Sequence, residues 1–469
     1  ELGGHSLLAT QMVSRLREAF DISLSLKALF ELPTLGQLAE EIDRLKAEAT
    51  RPAPEALSVV DRAGPLLPSF AQQRLWFLDQ LESNSAFYNM HVSVRLEGQV
   101  SHAALEAALR ALAGRHEVLR TRLVASAGGE LQQVIAPDAR DTRLEVVSLR
   151  ALSPEARGTR LLEVCREWAE APFDLARGPL LRAHLCELSE TEAVLLVAMH
   201  HAVCDGWSLP ILTRELAELY EAQVARRAPR LEPLPVQYAD YARWQREWLK
   251  GEVLEAQLAW WREQLQGAPP ALELPTDKPR PPVQSYRGAL HRLHLPLALT
   301  EGLRKLSQRE GVTLFMTLLA GWQALLHRYS GQEDVSVGSP IAGRGQAGLE
   351  GLIGFFINML VMRARVRGEE SFRVLLGRVR ETALGAYEHQ DVPFETLVDE
   401  LKPSRDTSYA PLFQVAFALQ HGAPELALPG VVSRPVELHS QTAKNDLMLA
   451  LTETGAGLEG GLEYNTALF

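Results

Sequence analysis

The chain has 469 residues, which is too long for one ordinary hydrophobic core, so we expect two or three compact units. The formal net charge is -11 and no basic run occurs, which excludes an electrostatic footprint for nucleic acid. Its 3 cysteines lack paired spacing, which fits the reducing cytoplasm, and no apolar stretch is long enough to span a membrane.

The amino-terminal segment predicts two helices. Apolar residues between Leu7 and Phe20 lie on one face of a helix that begins near Ser6, and a second helix follows Thr34. Position alone makes Ser6 an N-cap residue. The chain opens inside this segment and without an initiator methionine, so we expect it to be a piece of a longer polypeptide.

A linker is predicted to follow this segment. Residues 48–65 mix Glu, Ala and Arg with Pro52 and Pro54 and show no helical periodicity. Such a composition gives a semi-stiff connection, which would allow the amino-terminal segment to move.

The first half of the remaining chain mixes helices and strands. The predicted elements, in chain order, are Ser69–Leu81, Val92–Leu96, a helix from Ser101, Leu131–Ile135 and Pro154–Ala169. An unbroken apolar run from Val194 to Met199 then predicts a strand buried on both faces. This strand carries His200 and His201 to its exposed end, ahead of an amphipathic helix that begins after Gly206. A rigid strand-to-helix junction therefore presents the two histidines to a cleft.

The second half repeats this order of elements. It begins with a long Trp-rich helix predicted from Tyr238 through Trp261, followed by a proline-rich loop at 275–282. The later predictions are the strand Leu293–Leu297, the helices Glu301–Arg309 and Leu314–Leu326, and the strands Val335–Gly338, Leu447–Leu451 and Leu458–Tyr464. The similar order indicates two related lobes of α/β or α+β type.

Two stretches resemble motifs of nonribosomal peptide synthetases. The sequence Leu-Gly-Gly-His-Ser-Leu around Ser6 resembles the phosphopantetheine attachment motif of peptidyl carrier proteins. The stretch from His200 to Gly206, His-His-Ala-Val-Cys-Asp-Gly, resembles the HHxxxDG signature of condensation domains. Other blocks similar to this family occur in its order at Ser69–Leu81, Arg115–Thr121, Tyr238–Gln245, Ile353–Asn358, His389–Glu395, Arg405–Ser408 and Pro411–Gln414.

The resemblance implies a fold and a division into domains. The fold would be α/β (α+β), with two chloramphenicol acetyltransferase-like lobes in a V arrangement, preceded by a small, incomplete all-α carrier bundle. The domains would be a partial carrier without its first helix at 1–47, the linker at 48–65, and condensation lobes at 66–235 and 236–469.

The resemblance also implies a reaction, a cofactor and partners. An aminoacyl amine on one carrier would attack a peptidyl or acyl thioester on an upstream carrier and form an amide. The implied cofactor is 4'-phosphopantetheine attached to Ser6. The implied partners are upstream and downstream carrier domains and adjoining adenylation domains of a cytoplasmic assembly line for secondary metabolites such as antibiotics or siderophores. Neither nucleic acid nor a membrane is an expected partner.

Roles for the motif residues follow from the same resemblance. We expect His201 to orient the amine by a hydrogen bond and to assist proton transfer. His200 should point the other way along an extended segment and support the loop. The family precedent makes Asp205 structural and paired with an arginine, for which we predict Arg344. Gly206 is expected to permit a sharp turn and a close backbone approach.

Three residues outside the histidine motif are further site predictions. Their sequence positions alone indicate that Arg115 and Arg120 are surface charges or helix-end residues. The resemblance implies instead that they stabilise the loop or the lobe junction. The resemblance also implies that Asn358 lines a tunnel near the site.

Several alternatives remain open. Zinc could be held by the histidine motif, but adjacent histidines rarely ligate one ion, so no metal is expected. Cys204 and His201 could form a nucleophilic pair. Within the family, an epimerising or dual condensation domain is the alternative, although the Gly-Gly-His-Ser carrier motif favours an L-configured donor. A non-catalytic domain that recruits partner proteins is the rival from another class, and the intact histidine motif argues against it.

Overall fold

The structure of the chain is a computed structural model. It describes residues 12, 13, 15, 16, 19, 20, 22, 24–32, 34–48, 57–81, 86–403, 406–422, 425–436 and 441–469. Among these residues, no helix combines the length and the apolar character that crossing a membrane requires.

Helices and strands are mixed along the described chain. The helices are α1 Leu26–Glu31, α2 Leu35–Glu48, α3 Phe70–Leu81, α4 His102–Arg115, α5 Pro154–Glu170, α6 Ser208–Val224, α7 Tyr238–Trp248, α8 Gly251–Leu265, α9 Leu297–Arg309, α10 Leu314–Ser330, α11 Phe372–Glu388 and α12 Phe394–Leu401. The strands are β1 Asn89–Glu97, β2 Thr121–Ala125, β3 Leu131–Ile135, β4 Leu144–Ser148, β5 Leu181–Glu187, β6 Glu192–His200, β7 Gly288–Pro296, β8 Asp334–Ile341, β9 Asn358–Arg365, β10 Val415–His421, β11 Val432–Pro435, β12 Leu447–Thr454 and β13 Gly457–Asn465.

Local sequence explains where several of these helices begin and end. Ser101 precedes α4 and accepts a hydrogen bond from the Ala104 backbone N–H, and Thr313 does the same for Met316 ahead of α10. Gly331 follows α10 with a φ of 71°, the left-handed conformation in which glycine commonly ends a helix.

The first sheet is built around β6. Its strand order is β11-β1-β6-β5-β4. β6 pairs antiparallel with β1 and with β5, so Leu195 lies between Val94 and Leu185. Every residue of β6 after Glu192 is buried, which confirms the strand predicted from the apolar run. β11 comes from the second half of the chain and pairs antiparallel with β1, so the two halves share this sheet.

The second sheet has the order β7-β13-β12-β10-β8-β9. β10 runs parallel to β8 and to β12, and the other neighbouring strands are antiparallel. β2 and β3 form a separate antiparallel hairpin. The mixed α/β architecture predicted from the sequence is confirmed.

Two hydrophobic cores correspond to the two sheets. The first contains buried residues of α4, β5, β6 and α6, and also Leu352, Phe355 and Phe356 from the second half of the chain. The second contains buried residues of α8, α10, β9 and α11, together with Leu24 and Leu38 of the amino-terminal segment. Residues 352–356 thus leave the second lobe and pack in the first, which brings both halves of the chain to the histidine motif.

The prediction of one long helix from Tyr238 through Trp261 is wrong. The structure has α7 and α8 instead, separated by Leu249 and Lys250. Gly251 has a φ of 56°, so the backbone is left-handed at this point and cannot continue a right-handed helix.

Candidate active site

The buried strand β6 delivers two histidines to a short loop. β6 ends at His200, and His201 begins a single turn of 3-10 helix that ends at Val203. The His201 backbone N–H donates to the Tyr88 carbonyl oxygen at 2.8 Å, which fixes the start of this turn. α6 begins at Ser208, so residues 201–207 form the strand-to-helix junction that the sequence predicts.

His201 is a neutral side chain with one free ring nitrogen lone pair. Its Nδ1 lies 2.8 Å from the Cys204 carbonyl oxygen. A carbonyl oxygen can only accept, so Nδ1 carries the hydrogen and Nε2 keeps the lone pair. The ring packs on Phe355, with centroids 4.7 Å apart, and stays partly exposed. Burial, followed by the positive charge of Lys444, lowers the pKa of His201 to about 3, so the ring is neutral at pH 7.

His200 braces the loop from inside the first lobe. It is 1% exposed, and its Nδ1 accepts a hydrogen bond from the Ala202 backbone N–H at 3.1 Å. Its ring lies 6.2 Å from the rings of Tyr88 and Phe173. Burial lowers the pKa of His200 to about 3, so this ring is neutral as well. These contacts fit the support role expected for His200.

Asp205 is fully buried and both of its carboxylate oxygens are hydrogen-bonded. Oδ1 accepts from the Ser208 backbone N–H at 2.8 Å and from the Ser208 hydroxyl at 2.7 Å. Arg344 Nη2 reaches the same oxygen at 3.1 Å, which is the contact predicted between these residues. Oδ2 accepts from the Phe356 backbone N–H at 3.0 Å. A carboxylate held this way orders the loop and joins it to Arg344 and Phe356 of the second half of the chain.

Arg344 links the loop to the second half of the chain. Its Nη1 donates to the carbonyl oxygens of Leu349 at 3.1 Å and Leu352 at 2.7 Å. Its guanidinium carbon lies 4.1 Å from the centroid of the Phe356 ring. Gly343, next to it, has a φ of 62°, and a Cβ there would lie 1.9 Å from the Phe356 carbonyl oxygen. Only glycine fits this approach of two backbones.

The prediction that Gly206 permits a sharp turn and a close backbone approach is wrong. Gly206 is exposed, and its φ lies outside the left-handed range that glycine alone tolerates well. Among the described residues, an added Cβ at Gly206 would meet no heavy atom within 4 Å. The loop therefore turns without needing glycine at this position, and Gly206 leaves open space beside the histidine loop.

Cys204 does not fit the role of a nucleophile. The side chain is fully buried, and its thiol lies 3.5 Å from the Asp205 carbonyl oxygen. Burial, and then the negative charge of Asp205, raise the pKa of the Cys204 thiol well above its usual range. The thiol stays protonated at neutral pH and packs as a small apolar group.

Arg115 belongs to a buried charged cluster between α4 and α6. Arg115 Nε lies 3.0 Å from Glu215 Oε2, and His116 Nε2 lies 2.8 Å from the same oxygen. The Ile353 backbone N–H donates to His116 Nδ1 at 3.3 Å, which ties the cluster to the segment beside Arg344. Arg120 lies apart from this cluster and donates to the Ala136 carbonyl oxygen, so it fastens a turn to β3.

Asn358 lies at the start of β9 and holds a neighbouring loop. Its Nδ2 donates to the carbonyl oxygens of Gln390 at 2.8 Å and Val392 at 2.7 Å, and its Oδ1 accepts from the Phe394 backbone N–H at 3.0 Å. Asn358 borders a cavity of about 480 Å³ whose lining also includes Arg74, Trp244, Trp248, Phe355 and Val13. Ligand pockets commonly span about 300 to 1,000 Å³.

Two site residues escaped the sequence interpretation. The Ser208 hydroxyl donates to Asp205 and accepts from the Gly354 backbone N–H at 3.1 Å. The Tyr238 hydroxyl donates to the Phe355 carbonyl oxygen at 2.6 Å and lies 2.8 Å from Ser69 Oγ. The sequence shows Ser208 only as the first residue of a helix and Tyr238 only within a family block, and neither signal names a partner.

Ser6, the predicted attachment residue, lies outside the described residues. Within the described part of the chain, no group of three or more His, Cys, Asp or Glu side chains is placed to hold a metal ion.

Comparison with known families identifies most of the chain. The family described as "Condensation domain" matches residues 64–469. The chain belongs to the condensation-domain family of nonribosomal peptide synthetases. A second family, described as "Phosphopantetheine attachment site", matches residues 1–42 ahead of the condensation domain. The cofactor of that amino-terminal segment is 4'-phosphopantetheine.

The relatives of this condensation domain are large peptide synthetases. The chain is 51% identical to a linear gramicidin synthase protein of Brevibacillus parabrevis, over 100% of this chain and 9% of that protein. It is 43% identical to malpinin synthetase of Mortierella alpina, over 100% of this chain and 6% of that protein. The chain therefore spans less than a tenth of the length of these relatives.

Solved structures show the same fold. The X-domain from teicoplanin biosynthesis is 32% identical, with a TM-score of 0.79 over 88% of this chain and 92% of that one. The first condensation domain of the calcium-dependent antibiotic synthetase, solved with a substrate analogue, is 24% identical, with a TM-score of 0.71 over 87% of this chain and 92% of that one. Both confirm the chloramphenicol acetyltransferase-like α/β fold, and the family forms amide bonds by acyl transfer.

Proposed function

We propose that this condensation domain joins two carrier-bound substrates, by attack of an aminoacyl amine on an upstream peptidyl or acyl thioester. The observation that carries the proposal is the neutral His201 ring, whose Nδ1 bonds the Cys204 carbonyl and whose Nε2 keeps its lone pair. Such an imidazole accepts a hydrogen bond from an amine N–H. The C–N bond forms, the C–S bond breaks, and the amine proton ends on the departing sulfur.

His201 contributes orientation more than deprotonation. A free α-amine has a pKa of about 7.7 to 8.0, so its deprotonation at pH 7 costs on the order of 1 kcal/mol. Holding two reactants in an attack geometry contributes roughly 7 to 11 kcal/mol. The Nε2 lone pair of His201 therefore aligns the amine and receives its proton transiently. Asp205, Arg344 and His200 hold that ring in place through the contacts described above.

Open space near this loop supports the approach of a carrier arm. The 4'-phosphopantetheine group supplies a flexible tether and the thioester sulfur that carries the acyl group. Val13 of the carrier segment reaches the cavity beside Asn358, and Gly206 leaves room along the histidine loop. Ser6 is the residue that we assign to the arm, and upstream and downstream carriers with adjoining adenylation domains are the proposed partners.

We assign an L configuration to the donor. The support is the Gly-Gly-His-Ser sequence before Leu7, which resembles carriers that feed ordinary condensation. An epimerising or dual condensation domain is the alternative, because these relatives keep the same histidine motif.

A second candidate function is the recruitment of a partner protein without catalysis. The observation that favours it is the similarity to the teicoplanin X-domain, which is also known in a complex with OxyB. The intact motif of this chain, with its ordered and neutral His201, favours catalysis instead.

One experiment separates these functions. Upstream and downstream carriers are loaded with defined L-aminoacyl thioesters, mixed with the condensation domain, and the product is analysed by mass spectrometry and chiral chromatography. Amide product with an L donor residue supports the proposal. A donor residue of inverted configuration in the product would support the epimerising alternative. If no amide forms although both carriers are fully loaded, the recruiting function would be favoured.

A further inference from the structure

A cavity lies between the amino-terminal carrier segment and the histidine loop. Its volume is about 480 Å³, and Val13 and Ser25 of the carrier segment border it. Phe355 borders the same cavity from the condensation domain, and the centroid of its ring lies 4.7 Å from that of the His201 ring. Within the described part of the chain, His201 itself does not border this cavity. The Phe355 side chain therefore lies between the cavity and His201.

The walls of the cavity are rich in aromatic rings. Trp244 and Trp248 stack with centroids 5.2 Å apart and an angle of 7° between their planes. Tyr241 packs against Phe356 at 4.8 Å between centroids, and both of these rings border the cavity as well. Aromatic side chains offer large apolar areas to whatever packs against them. The walls therefore suit a ligand that carries an apolar side chain.

Several polar side chains on these walls are engaged by the protein itself. Asn358 donates both Nδ2 hydrogens to backbone carbonyl oxygens, and its Oδ1 accepts from a backbone N–H. Arg74 pairs with Glu395, and the Tyr241 hydroxyl accepts from Gln245 Nε2 at 3.1 Å. A polar group whose hydrogen-bonding capacity is already used contributes little to the choice of a ligand. Selection in this cavity therefore depends mainly on shape and apolar contact.

The backbone around Phe355 is fixed by hydrogen bonds at three successive residues. The Phe355 carbonyl oxygen accepts from the Tyr238 hydroxyl at 2.6 Å. The backbone N–H groups of the residues on either side donate to the Ser208 hydroxyl at 3.1 Å and to Asp205 Oδ2 at 3.0 Å. None of these bonds involves the Phe355 side chain. The size of this side chain can therefore be changed while the backbone is held in place.

We propose that this cavity receives the apolar side chain of the upstream acyl group, and that Phe355 limits how large that side chain can be. The inference rests on the proposed amide-forming function. The upstream acyl group is the occupant because Val13 and Ser25 of the carrier segment, which precedes the condensation domain, border the cavity. Its thioester carbon meets an amine at His201 only if the acyl group passes or lies beside the Phe355 ring. A bulky acyl side chain therefore competes with this ring for space.

The test combines changes in the size of residue 355 with changes in the size of the donor. Phe355→Leu and Phe355→Trp are compared with the unmodified chain, using glycyl, leucyl or tryptophanyl thioesters on the upstream carrier and one common acceptor. Rates of single-turnover amide formation are normalised to folded protein. A misfit of one methylene group in an apolar pocket changes a rate by roughly tenfold or more. Phe355→Leu should therefore raise the tryptophanyl-to-leucyl rate ratio by about tenfold, and Phe355→Trp should lower the leucyl-to-glycyl ratio by about tenfold.

A purely structural role of Phe355 predicts a different result. If the ring only supported the fold or the His201 side chain, its substitution would change the rates of all donors by one common factor. Phe372→Leu, which removes a 39% exposed ring at the start of α11, is the matched control and should leave both ratios unchanged. Unchanged donor ratios in Phe355→Leu would overturn the proposal. A dependence of the Phe355→Leu rates on the size of the acceptor, at a fixed leucyl donor, would overturn it as well.

A second measurement does not depend on turnover. The pantetheine amides of N-acetyl-leucine and N-acetyl-tryptophan, in which an amide replaces the thioester, are titrated calorimetrically into the same variants. Phe355→Leu should improve the affinity for the tryptophan analogue relative to the leucine analogue by about tenfold. An unchanged affinity ratio would contradict the proposal. If the unmodified chain binds both analogues and makes no amide, the proposed function fails, whereas the affinity ratio still decides the role of Phe355.

Discussion

The Nδ1 atom of His201 lies 2.8 Å from the backbone carbonyl oxygen of Cys204, three residues further along the same loop. This contact selects one tautomer of the ring and leaves Nε2 as the acceptor. The loop therefore orients its own histidine through a backbone carbonyl. The buried carboxylate of Asp205 does not contact the ring and stabilises the conformation of the loop.

Asp205→Ala should fail through instability. Removing one partner of a buried ion pair leaves Arg344 uncompensated, which should lower the free energy of unfolding by about 3 to 5 kcal/mol. Asp205→Asn, which keeps one acceptor oxygen, should lose less. Urea unfolding of both variants measures the difference. A stably folded Asp205→Ala protein without condensation activity would point to a chemical role for the carboxylate.

Two glycines near the site should respond in opposite ways to alanine. Gly343→Ala places a Cβ against the Phe356 carbonyl in a left-handed backbone and should lower the free energy of unfolding by about 2 to 4 kcal/mol. Gly206→Ala enters open space and should stay within about 0.5 kcal/mol of the unmodified chain. Thermal unfolding of the pair checks this ordering, and a severe loss in Gly206→Ala would restore the original expectation for that residue.

Acid should destabilise the fold through its buried histidines. Burial lowers the pKa of His200 to about 3, whereas an unfolded chain binds that proton at about 6.5. The folded state binds fewer protons between these values, so this contribution is fully present above about pH 6.5 and is lost as the pH falls toward about 3. Burial also lowers the pKa values of His91 and His116, which act in the same direction.

His200→Gln should reduce this acid sensitivity. The glutamine amide oxygen can accept the Ala202 backbone N–H in place of Nδ1, and the side chain no longer titrates. The difference in the free energy of unfolding between about pH 7.5 and about pH 5 should shrink by about 2 kcal/mol. Urea titrations at the two pH values measure it, and an unchanged difference would show that His200 binds its proton equally well in the folded and unfolded states.

Cys204→Ala should keep the rate of amide formation. Its thiol is buried and stays protonated, so its removal costs packing of about 1 kcal/mol and no chemistry. Single-turnover rates normalised to folded protein test this. A large loss of rate in a well-folded variant would revive the nucleophilic pair of Cys204 and His201.

Much of the fold can be predicted from local patterns in the sequence. The run Val194–Met199 predicted β6 correctly because a strand buried on both faces has to be apolar throughout. The tryptophan-rich stretch of α7 and α8 predicts one helix, because residue content does not reveal the left-handed turn at Gly251.

The site was predictable only where a motif names its residues. The motif located His201 and Asp205, and the Arg344 contact followed from family precedent. The contact of the Ser208 hydroxyl with Gly354 and that of the Tyr238 hydroxyl with Phe355 each join residues more than a hundred positions apart, and only tertiary packing brings them together.

The central claim is that the neutral imidazole of His201 aligns the attacking amine. The direct measurement is single-turnover amide formation by His201→Ala with both carriers preloaded, beside His294→Ala, which removes a half-exposed histidine of β7. We expect His201→Ala to be slower by a factor of about 100 or more at unchanged fold, and His294→Ala to be unaffected. A His201→Ala protein that forms amide at the unmodified rate would contradict the account.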